Sequence, residues 1–532
     1  MTVPLLIARD SAGLPTRDAA RPALALGARS PVGYGRLDRR SRAWARQLAL
    51  LGVGAGDRVG LLLRNSVEYI VGYFAITRMS AIAVRFNWRV APAELSVLLA
   101  DSECTVVLVH ESLAGQLRAA LEAVPPDAIP RVVEIADPAE SDSGEVEAGE
   151  LDGVSGGASG LGFAEPSPGD DAMIMYTSGT TGTPKGAIWT HANTVSFAMM
   201  QAIAFGFGPD TVAMTLGPLY HAGAFEDLLH PAMLVGGLAV CMPSGSLRIH
   251  TVAEVIERHR VTDVLLYPFM LDSLLDEEIL AGSDLSSLRR IVSGGDPVPE
   301  GTLERAARWL PNIEVVQAYG LTEGGGMTSF LPGAEARAHP GSVGHPLPLT
   351  EVRIKGDDGR WLPWGQDGEV LTRSPSVARG YWRRPEATAE TFRDGWCHTG
   401  DVGRIEEGRL RITGRKKDMI RSGGENIYAA EVEKVVNALP GVAEAVAVSV
   451  PDAQFVEAVC VVAVADGEQP GRDEVIAHCR ERLGGYKVPR HVVFTAELPR
   501  SPSGKVLRAR LRDEYRHLGD SSLRTGTEVN EA

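Results

Sequence analysis

The stretch Tyr176-Thr-Ser-Gly-Thr-Thr-Gly-Thr-Pro-Lys-Gly186 constrains this chain more than any other, because it directly follows the apolar run Ala172–Met175. An apolar strand delivered into a glycine-rich turn is a frame for binding something at the strand end. Gly179, Gly182 and Gly186 let the backbone turn tightly and aim N–H groups at one anion. Thr177, Ser178, Thr180 and Thr181 add hydroxyl donors, and Lys185 adds a mobile positive charge. Together they make a cradle for a polyphosphate. It is not a Walker A loop, which needs Gly before the Lys and Ser or Thr after it; Pro184 and Gly186 occupy those places.

Composition narrows the class. The chain has 532 residues, is 44% apolar and 23% charged, and can bury sizeable cores. Its net charge of −15 is dominated by residues 137–171, where carboxylates gather with no Lys or Arg. That stretch reads as a solvated acidic loop, and the basic footprint of a nucleic-acid binder is absent from the sequence. The five cysteines are widely spaced, without a C-x-x-C, which argues against a disulfide framework or structural zinc and for a reducing compartment. No apolar stretch reads as a signal peptide or membrane span, so a cytoplasmic enzyme is expected.

Periodicity gives the fold class. Helices are expected at Leu37–Leu51 and Val67–Arg78, and strands at Asp57–Leu63 and Cys104–Val109. Thr251 to Glu254 reads as a capping box opening a helix to His259, before a strand at Asp263–Tyr267. Such alternation predicts an α/β architecture with a largely parallel sheet. After Gly414 the texture changes: helix Ala430–Leu439, strands Val442–Val450 and Glu457–Val464, then helix Asp473–Leu483. This reads as a separate small α+β domain.

Further motifs follow the loop in order: VSGGDPV at 292–298, QAYGLTE at 317–323, GWCHTGD at 395–401, GRKKDMIRSGGENIYAAEVE at 414–433 and PRSPSGKVLR at 499–508. With the phosphate loop, this set resembles the adenylate-forming superfamily of acyl-CoA synthetases, luciferases and adenylation domains, and is most similar to the AMP-forming acyl-CoA synthetases. The resemblance implies a large N-terminal α/β domain of several subdomains over residues 1–416. A small mobile C-terminal domain would occupy residues 417–532, with a hinge near Lys417. It implies ATP, Mg²⁺ and coenzyme A, and a reaction in two halves: a carboxylate becomes an acyl-adenylate with release of pyrophosphate, then a thiol takes the acyl group.

By the same resemblance, Thr177, Ser178, Gly179, Thr180, Thr181, Gly182 and Lys185 hold phosphates. Thr322 donates to the α-phosphate and Glu323 ligates Mg²⁺. Gly294, Gly295, Asp296, Ala318, Tyr319 and Gly320 receive adenine, while Asp401 and Arg415 reach the ribose. Lys505 is the adenylation lysine. Arg421, Gly423 and Gly424 face coenzyme A during thioester formation. His221, Phe225, Gly324, Gly325 and Gly326 belong to the acyl pocket, with a helical stretch Phe225–Leu234 along its wall.

The sequence departs from the family pattern in places. Three consecutive glycines follow Glu323 and read as missing side chains that leave room for a broad acid. Glu226 and Asp227 put carboxylates near the entrance of what should be an apolar pocket. Ala429 replaces a common Pro, and Ser80 and Arg85 replace a commoner Gly and Pro. An apolar acid is expected, either fatty or a bulky alicyclic, terpenoid or aromatic one. Alternatives are a ligase that loads an acyl-carrier protein and a non-catalytic nucleotide-binding relative, though the latter would be expected to lack Lys505 or Glu323. Homodimerisation stays open. The match of Gly153 to Gly157 to a hydrolase nucleophile elbow is set aside, because Ser155 lies in the acidic stretch rather than between a strand and a helix.

Overall fold

The computed structural model describes residues 1–7, 20–137, 165–177, 184–245, 248–295, 298–336, 338–339, 341–422, 425–452, 455–500 and 506–519, without the side chains of Lys417, Arg421, Glu425 and Asn426. The chain forms two compact units. The larger comprises Met1–Val352, Leu371–Thr399 and Gly408–Leu410, and the smaller Arg353–Val370, Gly400–Glu407 and Arg411–Ala532. The fold is mixed α/β, as the alternation predicts.

Among the described residues, two sheets lie wholly within the larger unit. In the first, the central strands Asp171–Thr177, Ile82–Arg85, Arg58–Leu62, Val106–His110 and Arg131–Ile135 run parallel in that spatial order. Lys185–Thr190 adds antiparallel to Asp171–Thr177, and Gly380–Tyr381 pairs antiparallel with Lys185–Thr190. Buried on both faces, strands such as Val106–His110 are apolar almost throughout, as a covered parallel sheet requires. The second sheet has nine strands, from His345–Pro346 through Gly326–Leu331, Glu314–Leu321 and Arg290–Gly294 to Val32–Gly33.

Helices between these sheets are set by local chemistry. Val67–Arg78 starts where Ser66 accepts a hydrogen bond from Tyr69 N–H, and all of its residues are buried. Its apolar residues belong to the main core with Trp44, Trp189 and Phe225, while the charged Glu68 and Arg78 near its ends are buried against Arg40 and Asp38. His191–Phe205 opens on a reciprocal Thr190–Asn193 cap and stops at Gly206 in the left-handed region.

Two local expectations need correction. The helix ending at His259 begins at Ile249, so Thr251 lies inside it and caps nothing. The apolar spacing around Val252, Val255 and Ile256 carries the helix one turn further back. The stretch Phe225–Leu234 is not one helix. It breaks into Ala222–Phe225 and Leu229–Val235, with Leu228 between them at φ +59°.

In the smaller unit, Val442–Asp452 and Val456–Ala465 pair antiparallel over their length. Alternation sorts their side chains onto two faces. Ala445, Ala447, Val459 and Val461 pack with Val432, Val436 and Val475, whereas Val446, Val448, Cys460 and Val462 pack with Leu498 and Leu511. All five cysteines are free and buried. Among the described residues no helix is long and apolar enough to cross a membrane.

Candidate active site

The apolar strand and glycine turn deliver Thr177 and Lys185 opposite each other, as cross-strand partners at the mouth of the hairpin. Ser178, Gly179, Thr180, Thr181 and Gly182 lie outside the described residues, as do Asp296, Gly423, Gly424 and Lys505. Against this mouth stands Glu323. Its carboxylate Oε1 accepts from Thr177 Oγ1 at 2.9 Å and from Tyr381 Oη at 3.0 Å. Lys185 Nζ lies 5.2 Å from the centre of the Tyr381 ring. Burial, reinforced by the Glu323 charge, pushes the Tyr381 hydroxyl well above its ordinary pKa, so it remains a donor.

Backbone geometry fixes Glu323 independently of its side chain. The Thr322 carbonyl accepts from Trp189 Nε1 at 2.9 Å and from Gly325 N–H at 3.2 Å, closing a turn. The Glu323 carbonyl accepts from Ala378 N–H at 3.1 Å. Tyr381 and Trp189 were not among the residues expected from the sequence. Tyr381 arrives through the pairing of Gly380–Tyr381 with the sheet edge, where Trp382 N–H also donates to the Gly186 carbonyl at 2.8 Å. A single tyrosine in Gly-Tyr-Trp carries no spacing signal for that pairing.

The triple glycine has a different cause from the one expected. Gly325 and Gly326 sit at φ +91° and +84°, where side chains are strained. A Cβ on Gly325 would lie 2.4 Å from the Ser376 carbonyl oxygen, and one on Gly326 would lie 2.4 Å from the Phe197 ring. The missing side chains are filled by the protein's own atoms, so they do not by themselves create substrate room.

Gly294 and Ala318 are parallel strand partners, and a Cβ on Gly294 would stand 2.8 Å from the Ala318 carbonyl oxygen. Gly295, at φ +91°, lies beside the Tyr267 ring. Tyr319 pairs with Ser329, and the register slips between Tyr319 and Gly320. In the smaller unit, Asp401 is almost wholly buried and its carboxylate meets Arg415 Nε at 2.7 Å. Lys417 falls in the turn Lys416–Asp418 and Arg421 in the strand Met419–Ser422.

His221 precedes the helix Ala222–Phe225, with its ring 4.7 Å from that of Tyr220. Phe225 faces inward and has no exposed surface; its ring lies 5.0 Å from Tyr73 and 4.4 Å from His230. Glu226 is not near an entrance. It is fully buried, 2.6 Å from Arg85, which is equally buried. Two residues that each departed from the family pattern are therefore partners. Asp227 lies beside them, with its Oδ1 accepting from Gln201 Nε2 at 3.3 Å. Burial, and then the Glu226 charge, push its carboxyl up to about 8. Burial, then the Arg85 charge, lower His230 to about 3, so its ring is neutral.

Magnesium commonly binds through one or two carboxylates together with substrate phosphates. Glu323, one half-buried carboxylate beside two hydroxyls at the glycine turn, fits that role. Among the described residues no three His, Cys, Asp or Glu side chains converge as a self-sufficient metal cage would require.

Comparison with known proteins places this geometry. The family model described as AMP-binding enzyme matches residues 14–382, and that of the AMP-binding enzyme C-terminal domain matches residues 431–505. A feruloyl-CoA synthase of Amycolatopsis sp is 38% identical over 486 residues, covering 91% of this chain and 94% of that protein. The long-chain-fatty-acid–CoA ligase FadD13 of Mycobacterium tuberculosis is 35% identical over 492 residues, covering 91% and 93%. The ATP-bound crystal structure of MatB from Rhodopseudomonas palustris superimposes with a TM-score of 0.85 at 28% identity, covering 97% of this chain and all of that one. The ordered motifs, the two-unit fold and these matches agree: the chain belongs to the AMP-binding enzyme family, within the adenylate-forming superfamily.

Proposed function

We propose that the chain is an AMP-forming carboxylic acid–CoA ligase. The observation that carries this reading is the convergence of Thr177, Lys185, Glu323 and Tyr381 at the mouth of the glycine turn. A cation and a carboxylate held together but half-exposed suit a polyphosphate–metal substrate. In the first half-reaction a carboxylate oxygen of the acid attacks the α-phosphorus of ATP, and the bond to pyrophosphate breaks. In the second, the coenzyme A thiol loses its proton and attacks the acyl carbonyl, and AMP leaves.

The chain's own residues have three tasks in this scheme. Lys185 and the turn hydroxyls hold the β- and γ-phosphates, and Thr322 donates to the α-phosphate. Glu323 would hold Mg²⁺, which when bound neutralises charge on the phosphates. Tyr381 and Thr177 orient the Glu323 carboxylate through Oε1. The paired Asp401 and Arg415 supply an acceptor and a donor for the ribose hydroxyls. Lys505 places its charge between the carboxylate and the α-phosphate, where negative charge builds up.

The test is pyrophosphate release over a panel of carboxylic acids, with and without coenzyme A, in wild type and Lys505→Ala. The variant is expected to lose adenylation by on the order of 10²–10³-fold. It should still transfer a preformed acyl-adenylate to coenzyme A. Equal loss of both half-reactions in a folded variant would remove Lys505 from the first step. Acyl transfer to a carrier protein but not to coenzyme A would reassign the acceptor.

We also place the functional domain boundary at residues 416 and 417, with Lys417 as the hinge. Lys417→Pro fixes φ there. It should depress thioester formation more than adenylation, and an unchanged overall rate would refute the hinge. Five free, buried cysteines support a cytoplasmic setting.

A further inference from the structure

Arg85 and Glu226 are charged groups at a depth where an acyl tunnel would be apolar. Arg85 ends the strand Ile82–Arg85 and Glu226 follows the short helix Ala222–Phe225. Neither side chain of the pair has exposed surface. The guanidinium is held further by Tyr69 Oη at 3.0 Å, by the carbonyls of Leu219 and His221, and by the Phe225 ring, 5.5 Å away. Around it Tyr69, Tyr73, Phe74, Phe225 and His230 are all fully buried. Space that excludes a water-sized sphere also excludes a methylene chain.

The surroundings just before this point differ. His221 and Gly223 are only half-buried. A Cβ on Gly223 would meet only Asp227 Oδ2, at 3.7 Å. Gly223 and Glu226 are separated by about one helical turn. Half-buried positions therefore give way to a sealed, charge-paired layer over a short depth.

We propose that the Arg85–Glu226 ion pair is the floor of the acyl pocket and selects acids with a compact acyl group, such as one ring or a short branch, against long straight chains. This rests on the ligase reading and on the expectation that His221 and Phe225 belong to that pocket. The pair acts on specificity by filling space, and it touches neither the carboxylate nor the nucleotide.

The experiment measures kcat/KM for pyrophosphate release with straight-chain acids from butanoic to hexadecanoic and with cinnamic acid. In wild type, hexadecanoic acid is expected to be at least about tenfold poorer than cinnamic acid, since steric exclusion acts on the transition state of the disfavoured substrate. Replacing the pair by Arg85→Ala with Glu226→Ala opens the floor and should raise the ratio of dodecanoic to hexanoic acid by about tenfold. Arg85→Met with Glu226→Leu refills it with apolar volume and should leave that ratio within about threefold of wild type. Equal use of hexadecanoic and cinnamic acids by wild type overturns the floor while leaving the ligase reading standing. So does an unchanged chain-length ratio in the folded alanine pair, or a long-chain gain in the refilled pair. If no acid releases pyrophosphate, both readings fall. If the alanine pair does not fold, the wild-type series and the refilled pair decide.

Discussion

Two polar clusters in the larger unit are built from similar groups and behave as opposites. At the glycine turn, Lys185, Glu323, Thr177 and Tyr381 combine a cation, a carboxylate and hydroxyls at a half-exposed edge. Deeper in the unit, Arg85, Glu226, Asp227, Gln201 and Tyr69 combine the same chemistry with almost no exposure. In the first, Lys185 and Glu323 keep exposed surface through which an anion and a metal can be met. In the second, cation and carboxylate face each other and the group is closed. Exposure, more than residue type, separates a binding site from a structural ion pair.

The largest effect should come from breaking the closed cluster on one side. Arg85→Ala leaves the Glu226 carboxylate buried without its cation and should destabilise the protein by about 3–5 kcal/mol. Arg85→Met with Glu226→Leu removes both charges and should cost far less, because neither ion is then left uncompensated. Denaturant midpoints compare the two. Equal losses would mean that packing, not charge pairing, holds this layer.

The next effect is pH-dependent. Asp227 has a folded-state value of about 8 against an ordinary 3.8, so between those values the folded state keeps a proton that the unfolded chain releases. Stability from this group is fully present below about pH 4 and is lost as pH rises towards 8. Asp227→Asn should remove that decline and gain on the order of a few kcal/mol at pH 8. His230 has the opposite sign. Its lowered value makes stability fall as pH drops from 6.5 towards 3. Unfolding curves at pH 5 and 8 test the Asp227 contribution, and an unaltered slope in the variant would refute it.

The smallest effect sharpens the open cluster. Tyr381→Phe deletes one of the two donors to Glu323 Oε1 among the described residues. A hydrogen bond to a charged group is worth about 1.5–3 kcal/mol when buried, and less at a half-exposed edge, so kcat/KM for pyrophosphate release should fall by about tenfold. Stability should change little. A variant as active as wild type would make Tyr381 a bystander to Glu323.

Much of this could be read from the sequence, for local reasons. Val67–Arg78 was legible to the residue because Ser66 supplies its cap and the apolar run has no internal break. The paired strands of the smaller unit were legible from their valine-rich runs. The hairpin bringing Thr177 to Lys185 follows from an apolar strand meeting a glycine turn. What escaped depends on long-range meetings. Arg85 and Glu226 stood out separately, but no periodicity links residues so far apart. Tyr381 reaches Glu323 only through a two-residue strand too short to read from apolar spacing. The break at Leu228 has a sequence signal in Pro231, which suits the first turn of a helix but not its interior; only the positive φ of Leu228 itself depends on tertiary packing. Ser80 is the reverse case. Its departure from glycine was visible, and it carries the left-handed φ of +56° that glycine would adopt freely.

The pairing of Gly380–Tyr381 with Lys185–Thr190 also bears on synthesis. Until those two residues emerge from the ribosome, the strand Lys185–Thr190 has no neighbour on its outer side. Unpaired strand edges recruit other chains. At a translation rate of about 5–20 residues per second, this edge stays uncovered for on the order of ten to forty seconds in each nascent chain. Truncations ending before Gly380 should therefore aggregate more than those ending shortly after Trp382, even though both contain every other strand of that sheet. A residue pair that helps position Glu323 in the finished enzyme thus also covers one edge of the sheet during its birth.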